Sequence, residues 1–410
     1  MSNLVAHVLD VRLLQLASRT GCTYTRYADD MTFSTNKKTF PSKIAKATGG
    51  QSHSWIVGNE FKKIIQKSGF QLNESKTRMQ YRNGRQDVTG LVVNHKVNVS
   101  KTYRSTVRAM VHNLRRNGTF QLPHPEGKGS TGQSDQLQGM LAYVNQVELY
   151  NRKIYKLSNP PYPTYSGRER LFRSFLYFNV FFNATKPVVV CEGKTDNVYL
   201  TQAIHALVAS FPELANKDAN GKTKLNIRIL KYFENLTGSV LRLYGGSGNL
   251  KNLLIDYISH STTKFDVPVS SHPIILLVDN DDGAKEIYSA AAKISGAKVT
   301  GNEKFIYVSK NLYIVPTPKK ANGADSNIED FFDAATLRMQ VNGKILDQSK
   351  GKDTNTNFGK VVFAYTVVQK NAEKIDFNNF KPILSNLVAT IKDYTKKYSA
   401  APKAQATANT

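Results

Sequence analysis

The sequence predicts two architectures in one chain: an α+β half over roughly the first 160 residues, then an α/β domain with a mainly parallel sheet. Three observations predict this. Residues 22–35 are β-branched, aromatic and alternating, the mark of paired strands, and residues 87–99 read as a further hairpin or pair of strands. Residues 186–191 (KPVVVC) and 273–278 (PIILLV) are uninterrupted apolar runs, the mark of strands buried on both faces. Helical spacing fills the segments between the later strands, and strands alternating with helices give a parallel sheet.

In order along the chain, residues 3–19 have apolar positions at helical spacing, and Gly21 ends that helix. A hairpin follows at 22–35, turning at Ala28-Asp29-Asp30, then a helix at 59–68. Residues 69–80 read as loop and strand, 87–99 as a hairpin, and 101–118 as a basic helix. Residues 127–134 are a polar Gly/Ser-rich loop, 135–157 a helix, and Asn159-Pro-Pro-Tyr-Pro a linker signal. The second half reads as strand 186–191, helix 196–210, strands 225–233 and 240–244, helix 249–259, strand 273–278, helix 283–295, and strands near 304–308 and 311–315. The tail after Tyr398 is small and polar, and is expected to be disordered. The implied divisions are 1–100, 101–160, 161–185, 186–345, 346–398 and 399–410.

The net charge of +25 is spread over both halves, +15 in residues 1–165 and +10 in residues 166–410. A charge of this size points to a polyanionic partner, nucleic acid first. The two cysteines, Cys22 and Cys191, exclude a disulfide framework and offer no zinc spacing, which fits a reducing cytoplasm. No signal peptide is visible, and the most apolar long stretch, 171–191, is broken by Arg173, Asn179, Asn183 and Lys186.

Tyr27-Ala28-Asp29-Asp30 places two adjacent carboxylates at a strand–strand turn. Like charges so close repel, unless a divalent cation sits beside them. An ordinary Asp-Asp turn is the bland alternative. The stretch YTRYADDMTFS resembles the palm motif of reverse transcriptases, most closely that of bacterial retrons. Two further segments stand in the family's order. Residues 69–77 (GFQLNESKT) resemble the next palm motif, and residues 88–94 (VTGLVVN) resemble a retron segment associated with structured RNA. The resemblance covers about residues 1–157 and implies a polymerase right-hand fold, here a palm and thumb remnant.

By that resemblance, Asp29 and Asp30 are catalytic metal ligands, and Tyr27, Ala28 and Lys76 lie near the nucleotide and its phosphates. Val88, Thr89 and Gly90 would meet RNA, as would Arg104, Arg108, Arg115 and Arg116 on the thumb-like helix Tyr103 to Arg116. The solvated basic face is the alternative for any one of these arginines. The family has a further aspartate upstream of the helix at 3–19, so the chain is expected to be truncated and to extend primers poorly alone. A separate chain supplying the missing palm half is one expected partner.

A second constellation follows the two buried strands. Glu192 succeeds VVVC and opens Glu-Gly-Lys-Thr-Asp196; Asp279 succeeds PIILLV and opens Asp-Asn-Asp281-Asp282-Gly283. Carboxylates at the carboxyl ends of parallel strands lie where open α/β sheets bind ligands. One Glu and an Asp-x-Asp offer hard oxygens suited to Mg²⁺ or Mn²⁺. Gly193 is expected to let the chain turn tightly, and Gly245-Gly246-Ser247-Gly248 to cradle phosphate. Caps and turn residues are the bland alternative, and the calcium-loop pattern fails because Ala290 stands at its twelfth position.

EGKTD with DND resembles the Toprim domain of primases, topoisomerases and overcoming-lysogenization-type nucleases, a Rossmann-like fold. Asp196 matches an extra acid of the nuclease branch, and Ile328-Glu329-Asp330 resembles a later acidic motif there. The resemblance makes Glu192, Asp279 and Asp281 catalytic metal ligands. Asp196, Asp282 and Glu329 become further metal-site acids, and Lys194 a phosphate contact. His7, His53, His95 and His112 share no ligand spacing, and Trp55 is expected to pack.

Together these resemblances imply a bacterial, cytoplasmic retron-type reverse transcriptase with a Toprim metal-dependent nuclease domain. Retron RNA, its RNA–DNA product and a nucleic-acid substrate are the implied partners, with a role in antiphage defence. The alternative is a non-catalytic nucleic-acid-binding module with inert Toprim acids.

Overall fold

The computed structural model describes residues 2–48, 54–124, 129–158, 163–347 and 356–400. Residues 159–162 of the linker signal, 125–128, His53 and the tail from 401 lie outside them. The chain divides into two compact units, Met1–Thr106 with Tyr143–Asn159, and Val107–Ala142 with Pro160–Thr410. The stretch 101–160 is therefore shared between them. Among the described residues no helix is long and apolar enough to cross a membrane.

In the first unit, a helical turn Ser2–Val5 precedes helix His7–Thr20. Gly21 ends the helix with φ 67, where a side chain would be strained. The helix buries Leu9, Leu13, Leu16 and Ala17 against Tyr24, Ile44, Phe61 and Ile65. Strands β1 (Thr23–Tyr27) and β2 (Asp30–Ser34) form an antiparallel hairpin in which Tyr27 pairs with Asp30. The turn proper is therefore Ala28-Asp29. Strands β3 (Ala45–Ala47) and β4 (Trp55–Val57) pair next, followed by helix Asn59–Lys67. No strand forms at 69–80: Asn73 caps a short 3₁₀ turn, Glu74–Lys76, and that local hydrogen bonding displaces the extended form. The 87–99 segment is three short strands, β5 (Asp87–Val88), β6 (Leu91–Val92) and β7 (Asn98–Val99).

In the second unit, Ser166 and Glu169 form a capping box that starts helix Gly167–Leu176. A buried aromatic π-helical turn, Tyr177–Phe182, follows. Strand β8 (Val188–Cys191) is buried throughout, and a hairpin, β9 (Ala215–Lys217) with β10 (Thr223–Leu225), leads to the short β11 (Arg228–Ile229). Then come β12 (Ile274–Val278), β13 (Ile306–Ser309) and β14 (Leu312–Pro316). The sheet order is β11-β8-β12-β14-β13. The first four strands are parallel, and β13 runs antiparallel at the edge. One face of the sheet, Val189, Cys191, Ile275 and Leu277, shares a core with Leu200 and Ala203 of helix Lys194–Ala206 and with Ile383 and Leu387 of helix Lys381–Ala400.

Two expectations fail here. The strand expected at 225–233 is only β11 with the end of β10 beside it. The strand expected at 240–244 is the end of helix Leu236–Leu241 and its exit turn. Asn235 accepts the Gly238 amide at 2.9 Å and so caps the start of that helix.

Candidate functional site

The parallel register sets the second constellation. Cys191 pairs with Leu277, so the chain leaves β8 at Glu192 and β12 at Asp279 on the same sheet edge. The two acids are in contact: the Asp279 amide donates to Glu192 Oε2 at 3.4 Å. Tyr232 fixes the main chain beneath, its hydroxyl donating to the carbonyls of Cys191 (2.7 Å) and Glu192 (2.9 Å). Asp196 sits on the first turn of helix Lys194–Ala206, its Oδ2 accepting the Gly193 amide at 2.6 Å. Glu329 enters from the 3₁₀ turn Ile328–Phe331, and Ile328 donates its amide to Asp279 Oδ1 at 2.9 Å. Lys360 Nζ lies 3.0 Å from Glu329 Oε2.

The electrostatics follow from burial. Removal from water pushes Glu192 up to about 7 and Asp279 up to about 8, with neighbouring acids adding to the effect. Burial also raises Asp196 and Glu329, against the pull of Lys360 on both. Burial alone would lower Lys360, but Glu329, Asp279 and Asp196 hold it raised. Glu329 is only 1% exposed, and among the described residues its Oε1 has no hydrogen-bond partner. Glu192, Asp196 and Asp279 thus line a cleft of about 510 Å³ together with Lys194, Lys360, Phe233 and Tyr244, among others, and Glu329 lies behind Lys360.

Such a donor set fits a hard divalent cation: oxygens only, an excess of negative charge, and one orphaned buried oxygen. Among the described residues, however, no group of three or more His, Cys, Asp or Glu side chains is arranged to hold a metal ion. Asp281 Oδ1 accepts the Gly283 amide at 2.8 Å, and its charge helps to raise Glu192. Asp282 is exposed and pairs with Lys285 at 2.5 Å. Asn280, between Asp279 and Asp281, is buried and anchored, donating to the carbonyls of Gly301 (2.7 Å) and Thr317 (3.1 Å).

Two glycine expectations change. Gly193 has φ −110, so no tight turn requires it; a Cβ there would lie 2.7 Å from Asp196 Oδ1. Gly193→Ala is expected to displace the Asp196 carboxylate and cost about 1–3 kcal/mol, read as a lowered thermal midpoint. Gly245 and Gly246 do need positive φ, 96 and 86. Their loop serves the protein itself: the Gly246 amide donates to the Glu192 carbonyl at 3.2 Å, and the Ser247 amide reaches the Glu192 carboxylate. Lys194 borders the cleft, 3.9 Å from Glu234.

The first constellation is open. Tyr27, Ala28, Asp29 and Asp30 are exposed, Tyr27 at 72%. Ala28 takes φ 51, an unusual conformation for alanine. Sequence reasoning missed what holds this turn, because Asp10 carries no motif. Asp10 accepts from Tyr24 Oη (2.8 Å), Arg26 Nε (2.8 Å) and Arg26 Nη2 (2.7 Å), and Arg26 Nη1 donates to the Ala28 carbonyl at 2.5 Å. The Arg26 and Tyr24 bonds hold the Asp10 carboxyl below its ordinary range. Asp10→Ala is expected to cost about 2 kcal/mol and to speed amide exchange in the hairpin; unchanged exchange would refute that anchor.

Lys76 is exposed. Thr89 (φ 47) and Gly90 (φ 81) are both left-handed between paired Val88 and Leu91, the pattern of a two-residue type I′ turn. A β-branched residue at positive φ is strained, which marks this exposed tip. The basic helix, Lys101–Asn117, holds its arginines in different surroundings. Arg108 is exposed and Arg104 half-buried. Arg115 turns inward to Ser174 at 2.8 Å, and Arg116 lies 3.4 Å from Asp266.

Comparison with known proteins finds retron reverse transcriptases among the relatives. Part of this chain is similar to retron reverse transcriptases. Retron Mx65 reverse transcriptase of Myxococcus xanthus is 35% identical over 147 residues, 36% of this chain and 29% of the relative. Retron Mx162 reverse transcriptase of the same organism is 33% identical over 156 residues, 36% of this chain and 30% of the relative. Retron Ec86 reverse transcriptase of Escherichia coli is 27% identical over 152 residues, 36% of this chain and 43% of the relative. The chain thus spans less than half the length of these curated relatives. No family model matches, and no solved structure matches.

Proposed function

We propose that this chain couples a retron reverse transcriptase-like unit to a Toprim-like centre that cleaves phosphodiesters with a divalent metal. The observation that carries the second half is the contact between Glu192 and Asp279 at the carboxyl ends of adjacent parallel strands, in a cleft with surplus buried carboxylate. Glu192 and Asp279 would hold Mg²⁺ or Mn²⁺, with Asp196 and Glu329 beside them. Asp281, close enough to Glu192 to raise it, stays in that proposed set, while exposed Asp282 pairs with Lys285. A divalent ion so held supplies charge for a phosphoryl oxygen and an acidified water. The chain's own part is positional: Tyr232 fixes the strand end, the Ser247 amide steadies Glu192, and Lys360 holds Glu329.

The test is metal-induced stabilisation. Binding to the folded state raises the thermal midpoint by mass action. Mn²⁺ or Mg²⁺ should raise it by several degrees in the parent chain and not in Glu192→Ala or Asp279→Ala. An equal shift in the variants would place the ion elsewhere.

For the first unit, the similarity supports RNA-directed DNA synthesis as the activity of the family this unit resembles. Retron RNA and its RNA–DNA product are the proposed partners, with Asp29, Asp30, Lys76 and the Thr89-Gly90 tip exposed to meet them. A chain supplying further palm residues is another proposed partner, and antiphage defence in the bacterial cytoplasm the proposed role. A second reading, a binding module with inert Toprim acids, is favoured by the want of a preformed three-residue metal cluster among the described residues.

A further inference from the structure

The cleft over Glu192 has an aromatic lip that neither constellation uses. Tyr244 lines it and is 63% exposed, while its amide is tied to Asn249 Oδ1 at 2.7 Å. The backbone is thus held and the ring is left facing solvent. Phe233 lines the same cleft and is stacked on Tyr232, centroids 4.3 Å apart with planes at 28°. Tyr232 is in turn bonded to the Glu192 carbonyl, so this second ring is fixed relative to the acid. Gly245, between the lip and the helix it precedes, brings its backbone against Phe233: a Cβ there would lie 3.0 Å from the ring.

A duplex offers this lip nothing, because each base already stacks on its neighbours. An unpaired base has a free face, and base–aromatic stacking is the usual way proteins hold single strands. We propose that Tyr244, backed by Phe233, stacks an unpaired nucleobase next to the phosphate presented to Glu192 and Asp279, so that this site takes single strands or frayed ends and rejects blunt duplex. This rests on the nuclease reading of the same site, and Tyr244 is a specificity residue within it.

The experiment uses the full chain with 12-nucleotide single-stranded DNA and RNA carrying 5-iodouracil, and a blunt hairpin duplex carrying the same base, with Ca²⁺ as the metal. Irradiation should crosslink the single strands to Tyr244, located by peptide mass spectrometry, and leave the hairpin uncoupled there. Tyr244→Ala should weaken single-strand binding, read by anisotropy, about 10-fold; Tyr244→Phe should keep it. The DNA and RNA arms show whether the sugar is also read. Crosslinks confined to other segments, or equal binding by Tyr244→Ala, would overturn the proposal. Because binding and crosslinking need no cleavage, stacking at Tyr244 without any cutting would sink only the nuclease reading, and metal-dependent cutting indifferent to Tyr244 would sink only this one.

Discussion

Asp279→Asn is expected to abolish metal-dependent cleavage, by at least about 100-fold, and at the same time to stabilise the metal-free protein at pH 8. The two effects have one cause. Burial raises the Asp279 carboxyl to about 8, so the folded chain keeps a proton that the unfolded chain releases near 4. Between those values the folded state binds more protons. Stability is therefore highest below about pH 4 for this group and falls as pH rises to about 8. Glu192, raised to about 7, adds a loss with the same sign. Asparagine keeps the acceptor for the Ile328 amide and removes the charge. A thermal midpoint higher by several degrees at pH 8, with little gain at pH 5, is the expected melt. A lower midpoint at pH 8 would show that the acid is paired in solution, contrary to this account.

Lys360→Met is the second large effect. Lys360 lies beside a Glu329 that is otherwise sealed from water, and its loss leaves a buried carboxylate without a counter-charge. Breaking a buried pair from one side costs about 3–5 kcal/mol, and the partial exposure of Lys360 argues for the lower end. Lowering the pH should restore much of that loss by protonating Glu329. The double change Lys360→Met with Glu329→Gln should recover most of it at neutral pH. Recovery in the double variant separates a charge effect from lost packing. If the double variant is as unstable as Lys360→Met, the pair is not what holds this corner.

Which of these features could be read from the sequence depends on their range. The strands β8 and β12 were legible because VVVC and IILLV need no partner to declare burial on both faces. The acids Glu192 and Asp279 were legible because they follow those strands directly. The hairpin at Asp29-Asp30 was legible from alternation and turn residues, although Asp10, which ties Tyr24 and Arg26, was not. Lys360 was invisible: it is 31 residues from Glu329, and only the tertiary fold joins them. That Asp281 Oδ1 also closes its own turn could not be read from the Asp-x-Asp spacing. The helix at Leu236–Leu241 was hidden because it is short, and the Asn235 cap that starts it shows only in the folded turn.

The Glu192–Asp279 cleft is the proposed metal-dependent phosphodiesterase centre. The most direct measurement is cleavage of labelled single- and double-stranded DNA and RNA by the purified chain, with Mg²⁺ or with chelator, beside Glu192→Ala. Cutting that requires the metal and disappears in the variant is the expected result. Cutting that survives Glu192→Ala, or no cutting of any substrate while Mn²⁺ still binds at Glu192, would contradict it.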